Sequence, residues 1–122
     1  MPKKILLIED DDMLRDLITK RLTKGGYQIV QSIDGISGLK AVEDEKPDLV
    51  LLDIVLPGID GYEILEKIKN DASLSKTPVV MLSNLSQKDD VEKALKLGAA
   101  DYFIKINFTS EEVLEKIKNI LK

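Results

Sequence analysis

Five short apolar runs alternate along the chain with five stretches in which apolar residues recur every three or four positions. Continuous apolar runs of this length are typical of strands buried on both faces, whereas the longer spacing is typical of amphipathic helices. The runs predict strands at residues 4–8, 27–31, 49–52, 78–82 and 100–104.

The intervening stretches predict five helices, each with one apolar stripe that faces the core. In chain order the stripes are Leu14, Leu17, Ile18 and Leu22; Ile36, Leu39 and Val42; Ile64, Leu65 and Ile68; Val91, Ala94 and Leu95; and Val113, Leu114, Ile117, Ile120 and Leu121. Capping residues indicate where helices begin. They are Asp11 or Asp12, Asp60, the pair Ser86 and Asp89, and the pair Thr109 and Glu112.

The alternation of strands and helices predicts a single doubly wound α/β domain over residues 1–122, with helices on both faces of a five-stranded parallel sheet. The flavodoxin-like strand order 2-1-3-4-5 is the leading prediction for such a sheet. No repeat, low-complexity segment or internal domain boundary interrupts the pattern.

The composition narrows the chemistry that the chain can perform. Cysteine and histidine are both absent, so thiolate metal sites, cysteine nucleophiles, histidine triads and histidine-bound zinc are excluded. The formal net charge is −4 at pH 7, which gives no general attraction to nucleic acid, and no direct nucleic-acid binding is expected. The lack of a long apolar run or a signal-like start predicts a cytoplasmic protein without membrane attachment.

Chemically active side chains follow four of the predicted strands at the point where each strand ends. They are Glu9 and Asp10 after the first strand, Asp53 after the third, Ser83 after the fourth and Lys105 after the fifth. The carboxyl ends of parallel strands meet at one edge of the sheet, and strands one and three are neighbours in the predicted order. We therefore expect these side chains to form a site at that edge.

Three carboxylates in one site repel one another. At a separation of about 4 Å, a pair of like charges costs roughly 1 kcal/mol in water and about 4 kcal/mol at an effective dielectric constant near 20. Lys105 supplies one compensating charge, and a divalent cation would supply more. Oxygen ligands alone favour Mg²⁺, with Mn²⁺ as the alternative, over zinc. A Mg²⁺ site with few carboxylates is typical of phosphoryl transfer.

Asp53 is the candidate nucleophile, because a carboxylate is ionised at neutral pH and can form an aspartyl phosphate without a general base. Lys105 would neutralise phosphoryl charge, and Ser83 would donate a hydrogen bond to a phosphoryl oxygen. Taken singly, each of these residues is more simply a turn former, a helix cap or a solvated side chain. Likewise, Tyr102 is by default a packing residue with its hydroxyl at the surface. The combination favours the functional interpretation.

At these residues the chain resembles the receiver domains of bacterial two-component response regulators, the CheY-like superfamily, over essentially its whole length. The matching segments are Ile5-Leu6-Leu7-Ile8-Glu9-Asp10-Asp11, Leu51-Leu52-Asp53-Ile54-Val55-Leu56-Pro57-Gly58-Ile59-Asp60-Gly61, Val80-Met81-Leu82-Ser83 and Gly98-Ala99-Ala100-Asp101-Tyr102-Phe103-Ile104-Lys105. Each segment alone is moderately specific, and their order together is highly specific.

The resemblance implies that Asp53 accepts a phosphoryl group from the phosphohistidine of a histidine kinase or phosphotransfer protein, or from a small donor such as acetyl phosphate. It also implies that Glu9, Asp10, Asp53 and the backbone carbonyl of Val55 hold Mg²⁺, directly or through water. The chain would then be a switch in a phosphorelay rather than an enzyme. It would take part only in its own phosphorylation and dephosphorylation.

In the same family pattern Ser83 and Lys105 bind the phosphoryl group, and Ser83 and Tyr102 form the switch. The phosphoryl group draws the hydroxyl residue inward, the aromatic side chain follows, and the face of helix 4, strand 5 and helix 5 changes its partner preference. The expected partner of that face is a downstream protein of unknown identity. The expected assembly is a monomer or a phosphorylation-dependent dimer.

Three positions depart from the family pattern. Ile106 follows Lys105 where a proline with a preceding cis peptide is usual, and a cis bond at a non-proline residue costs about 2.5–4 kcal/mol. We therefore expect a trans bond and a different path for residues 105–109. Asn84 replaces a small residue and is expected to narrow access to the site and slow phosphorylation. Val55 is apolar and is expected to hinder an attacking water, which predicts a long-lived phosphoryl group.

Three alternatives remain open from the sequence. A receiver-like interaction domain would work without phosphorylation, and the altered loop after Lys105 leaves room for it. A Mg²⁺-dependent phosphatase with an aspartyl-phosphate intermediate usually carries a second Asp where this chain has Val55. A flavin-binding module would need a hydroxyl-rich phosphate loop where this chain has residues 9–12, which are all acidic.

Overall fold

The computed structural model describes residues 2–122 and centres on a five-stranded sheet. Its strands are β1 (Lys4–Ile8), β2 (Gln28–Ser32), β3 (Leu49–Leu52), β4 (Val79–Ser83) and β5 (Asp101–Ile104). All neighbouring strands are parallel and their order is β2-β1-β3-β4-β5, which confirms the flavodoxin-like prediction. The predicted domain of residues 1–122 begins with Met1, which lies outside the described residues.

Helices fill the connections between successive strands, and a last helix follows β5. They are α1 (Asp12–Lys24), α2 (Gly35–Glu45), α3 (Gly61–Asn70), α4 (Lys88–Lys96) and α5 (Ser110–Ile120), with a 3₁₀ turn at Lys105–Asn107. Side-chain caps begin most of these helices, as predicted. Asp11 and Asp60 each accept a hydrogen bond from the backbone N–H three residues later, and Thr109 forms a capping box with Glu112.

Alternating residues of the buried strands face two separate apolar clusters. Ile5 and Leu7 of β1 face one side of the sheet, where they meet α1 and α5, and Leu6 and Ile8 face the other. Burying one such side chain contributes about 1.5–3 kcal/mol. The two clusters therefore hold the strands in register, and that register places the strand ends at one edge.

The predicted start of α4 was wrong by one residue. Gln87, and not Ser86, precedes the helix, and its N–H donates to Asp90 Oδ2 at 3.1 Å. Ser86 and Asp89 offered the same spacing as Gln87 and Asp90. A three-residue spacing cannot choose between adjacent registers when either end can supply a polar side chain.

Three residues assigned to inward stripes are exposed instead. Leu17, Ile36 and Leu95 have 52%, 65% and 47% of their surface accessible. Each lies at the margin of its helix's apolar stripe, next to fully buried residues such as Ile18 and Ala94. Helical periodicity identifies the direction of the core but does not fix the width of the buried stripe.

No helix among the described residues is both long enough and apolar enough to cross a membrane.

Candidate functional site

The strand register brings the predicted site residues to one edge of the sheet. Ile8 pairs with Leu52, so the residues that follow them, Glu9 and Asp53, begin their loops side by side. The Asp53 N–H donates to the Ile8 carbonyl at 3.0 Å, which extends this pairing by one residue. Ser83 ends β4, and Lys105 follows β5 at the same edge.

The three predicted acidic residues converge as expected. Glu9, Asp10 and Asp53 each offer a carboxylate oxygen, and these oxygens lie within 4.8 Å of one another. Glu9 is 1% and Asp53 4% exposed, while Asp10 is exposed to solvent. Two buried carboxylates therefore lie beside a third that is exposed to solvent.

Asp53 is held in a fixed orientation by both of its carboxylate oxygens. Oδ1 accepts hydrogen bonds from the N–H groups of Ile54 at 2.7 Å and Val55 at 3.4 Å. Oδ2 accepts a hydrogen bond from Lys105 Nζ at 2.8 Å. Both oxygens of this carboxylate are therefore held by hydrogen bonds.

A glycine at the start of α3 lets that helix approach Asp53 closely. A Cβ on Gly61 would lie 2.3 Å from the Asp53 carbonyl oxygen and 2.6 Å from Ile54 Cα. The Gly61 N–H also donates to the Ile54 carbonyl at 2.8 Å. Only a residue without Cβ fits this contact, which ties α3 to the strand end that carries Asp53.

Lys105 is the cation that the carboxylates require. Its Nζ lies 2.7 Å from Glu9 Oε1 and 2.8 Å from Asp53 Oδ2, and its side chain is 14% exposed. Burial lowers the pKa of Lys105, but its hydrogen bonds to Asp53 and Glu9 outweigh burial, so that the pKa is raised overall. The peptide between Lys105 and Ile106 is trans, as predicted, and the 3₁₀ turn follows at once.

Glu9 remains incompletely compensated despite this lysine. Burial, reinforced by the charge of Asp53, raises the pKa of Glu9 to about 7, although Lys105 and the Asp11 N–H oppose the shift. Oε2 accepts a hydrogen bond from the Asp11 N–H at 3.0 Å, whereas the buried Oε1 has, among the described residues, only the ion pair with Lys105 Nζ at 2.7 Å. A buried carboxylate that shares a single cation and lies beside two further carboxylates is a suitable ligand for a divalent cation.

Ser83 and Tyr102 meet at the backbone of one residue in the loop after β4. Ser83 is fully buried, and its Oγ accepts a hydrogen bond from the Leu85 N–H at 3.3 Å. The Tyr102 hydroxyl donates to the Leu85 carbonyl at 2.6 Å, and burial raises the pKa of Tyr102 to about 12. Tyr102 is a largely buried packing residue, as the default interpretation had it, and its hydroxyl has the Leu85 carbonyl as a partner.

Val55 and Asn84 lie beside the site, and both are exposed. The Val55 side chain is 62% accessible. The contribution of its backbone carbonyl to metal binding stays a prediction, as does the effect of Asn84 on access.

Arg15 was missed by the sequence reasoning. Its guanidinium, on α1, donates through Nη1 to the Glu9 backbone carbonyl at 3.0 Å. An arginine seven residues beyond a strand end belongs to no motif, and its helical position alone indicates a solvated side chain. The contact arises from the bend between β1 and α1, which periodicity does not predict.

Comparison with known proteins agrees with this geometry. Residues 5–118 match the model of the response regulator receiver domain family. The chain is 36% identical, over its full length and 50% of the relative, to the DNA-binding dual master transcriptional regulator RpaA of Synechocystis. It spans about half the length of the curated relatives it matches.

Solved structures of similar fold include a BeF3-activated receiver domain and a Mn²⁺-bound response regulator. The BeF3-activated N-terminal receiver domain of Klebsiella pneumoniae RstA superposes with a TM-score of 0.89 at 32% identity, covering 98% of each chain. The Mn²⁺-bound form of response regulator Rcp1 superposes with a TM-score of 0.84 at 29% identity, covering 98% of this chain and 91% of the other.

Receiver domains are the phosphorylation-activated switches of two-component signalling, and response regulators of this kind partner with histidine kinases. The family match covers nearly all of the chain. The carboxylates of Glu9, Asp10 and Asp53 converge at the carboxyl ends of β1 and β3. This chain therefore belongs to the response regulator receiver domain family.

Proposed function

We propose that Asp53 is the phosphoacceptor of this receiver domain and that the chain is a switch in a two-component phosphorelay. The observation that carries the proposal is the placement of Asp53 beside the carboxylates of Glu9 and Asp10, with Lys105 Nζ 2.8 Å from its Oδ2. A buried, oriented carboxylate with an adjacent amine is suited to attack phosphorus and to tolerate the charge that arrives with it.

In the proposed reaction one oxygen of Asp53 forms a bond to phosphorus while the bond from phosphorus to the donor breaks. The donor is the phosphohistidine of a histidine kinase or phosphotransfer protein, or acetyl phosphate, and its leaving group departs with the bonding electrons. Lys105 turns from Asp53 Oδ2 towards a phosphoryl oxygen and neutralises part of its charge. Ser83 exchanges its contact with the Leu85 N–H for a donated hydrogen bond to a second phosphoryl oxygen.

We propose Mg²⁺ as the cation, with Mn²⁺ as a substitute, held by Glu9, Asp10 and Asp53 and the backbone carbonyl of Val55. When bound, this cation would neutralise phosphoryl charge and align its oxygens. The oxygen-only ligand set supports the assignment, as does the buried Glu9 Oε1, which shares its one cation, Lys105, with Asp53. The existence of a Mn²⁺-bound form of the similar Rcp1 supports it as well.

The proposed output is a population shift of the face formed by α4, β5 and α5. Ser83 and Tyr102 share Leu85 as a backbone partner, so a new bond from Ser83 to phosphate would disturb the loop that leads into α4. A downstream protein would recognise the altered face. The chain would act as a monomer or as a phosphorylation-dependent dimer, in the cytoplasm, without binding membrane or nucleic acid directly and without turnover of other substrates.

The contact between Lys105 and Asp53 supports this switch over an interaction domain that is never phosphorylated. That alternative drew on the altered loop after Lys105, which left the placement of the lysine open. Lys105 instead contacts both buried carboxylates.

The proposal is tested by incubating the chain with acetyl phosphate and Mg²⁺ and measuring its intact mass. We expect the mass of one phosphoryl group to be added to the wild type and to Asp60→Asn, which alters an aspartate that only caps α3. We expect no addition to Asp53→Asn or after removal of the metal with EDTA. Equal labelling of Asp53→Asn and wild type would refute the assignment of the phosphoacceptor.

A further inference from the structure

Arg15 is a mostly buried cation on α1 that contacts the backbone of Glu9, one of the residues of the acidic site. Its side chain is 15% exposed although it lies in the first turns of α1. Nη1 donates to the Glu9 backbone carbonyl at 3.0 Å, and Nη2 lies 2.5 Å from Asp12 Oδ1. One planar guanidinium therefore joins the end of β1 to the beginning of α1.

The carbonyl that Arg15 binds belongs to the peptide between Glu9 and Asp10. This peptide is planar, so the direction of its carbonyl also fixes the direction in which the chain leaves towards Asp10. Other restraints act on either side of this peptide. The Glu9 N–H donates to the Ser32 carbonyl at 3.0 Å and Glu9 Oε2 accepts from the Asp11 N–H, while Asp11 accepts from the N–H groups of Leu14 and Arg15. Arg15 is thus the side chain that restrains the link between the two acidic residues.

We propose that Arg15 is a positioning residue for the cation site, fixing the peptide between Glu9 and Asp10 so that both carboxylates face the same cation. Partners that orient the ligands of a metal are typically needed for its full affinity. The guanidinium suits this role because its rigid fork reaches Glu9 and Asp12 together, which a single ammonium group does less well. The inference rests on the proposed function only in taking Mg²⁺ as the cation.

Two simpler roles for Arg15 make different predictions. If Arg15 only stabilised α1, its removal would lower the stability of the chain and leave Mg²⁺ affinity unchanged. If it acted only as a nearby positive charge, its removal would tighten Mg²⁺ binding, because a cation repels a cation. Positioning predicts the opposite sign, with weaker Mg²⁺ binding despite the lost positive charge.

The test is a Mg²⁺ titration of the full chain, without a phosphoryl donor, for wild type, Arg15→Met, Arg15→Lys and Arg21→Met. The control Arg21 also lies on α1, but it pairs with Glu111 and Ser110 of α5. We expect Arg15→Met to weaken Mg²⁺ binding roughly tenfold. Arg15→Lys should give a smaller loss and Arg21→Met should match wild type. Unfolding measurements on each variant identify any that fail to fold.

A second readout in the metal-free chain separates positioning from direct participation. Hydrogen exchange at the amides of residues 10 and 11 should be faster in Arg15→Met than in Arg21→Met. In addition, phosphorylation of Arg15→Met by acetyl phosphate should approach the wild-type rate once Mg²⁺ is saturating, because the defect lies in binding the metal.

The outcomes distinguish this inference from the proposed function. Wild type that binds Mg²⁺ but is never phosphorylated would refute the proposed function and leave the Mg²⁺ titration to decide the role of Arg15. Unchanged or tighter Mg²⁺ binding by Arg15→Met would overturn the positioning role, whatever happens to phosphorylation. A wild type that binds no Mg²⁺ would overturn both.

Discussion

Asp53 and Lys105 show at the scale of single residues how a buried carboxylate is held in one orientation. Backbone N–H groups hold one Asp53 oxygen, and Lys105 holds the other. Glu9 shares the same lysine but is left with a raised pKa, because burial costs it more than one shared cation returns. The site therefore carries more buried negative charge than its own side chains neutralise.

Removing that lysine should destabilise the metal-free chain. Breaking a buried ion pair costs about 3–5 kcal/mol. For Lys105→Met we expect a smaller loss of about 1–3 kcal/mol in the free energy of unfolding, because Glu9 takes up a proton instead of remaining charged. Chemical denaturation in EDTA measures the loss, and Mg²⁺ should recover most of it.

The control for this change is Lys116→Met. Lys116 lies 3.5 Å from Asp101 and is 52% exposed, so its loss should cost at most about 1 kcal/mol and show no dependence on Mg²⁺. If Lys105→Met proved as stable as the control in EDTA, the lysine would not be the counter-ion of the two buried carboxylates.

A second prediction for a single residue concerns Val55 and the lifetime of the phosphoryl group. Its apolar side chain cannot orient a water for attack on the phosphorus of phosphorylated Asp53. We expect Val55→Asn to dephosphorylate several-fold faster than wild type in Mg²⁺, as followed by intact mass after the donor is removed. Equal rates would show that the Val55 side chain does not protect the phosphoryl group.

At the scale of elements, α4 is the least anchored helix. Ala94 is its single buried residue. Tyrosine hydroxyls secure its beginning, since Tyr62 on α3 donates to the Asp90 carbonyl at 3.0 Å and Tyr102 on β5 donates to the Leu85 carbonyl just before the helix. A helix with a single buried residue and hydrogen bonds at its beginning is suited to shift when those hydrogen bonds change.

Tyr62→Phe tests this description of α4. The variant keeps the ring beneath Lys93, whose Nζ lies 4.2 Å from the ring centroid, and removes only the hydroxyl. We expect hydrogen exchange in α4 to report a loss of about 1 kcal/mol in local stability. Tyr27→Phe, in the cluster on the other side of the sheet, should leave α4 unchanged. Identical exchange in both variants would mean that Tyr62 does not secure α4.

For the whole molecule, the sequence pattern predicted the structure correctly where successive residues of a strand are all buried. The apolar runs at β1, β3 and β4 predicted the sheet, and the strand ends then predicted that Glu9 and Asp53 would meet. Pattern failed where the outcome depends on three-dimensional shape. The exposure of Leu17 depends on how far α1 turns from the sheet, and the contact from Arg15 to Glu9 depends on the bend between two elements.

The central claim is that separate segments of the chain bring carboxylates around a cation and leave Asp53 to take up phosphate. Its most direct measurement is a crystal structure of the chain with Mg²⁺ and beryllofluoride, a mimic of the phosphoryl group. We expect beryllium on a carboxylate oxygen of Asp53, Mg²⁺ beside Glu9 and Asp10, and Lys105 Nζ on a fluoride. Mg²⁺ bound away from these carboxylates, or beryllofluoride on another residue, would contradict it.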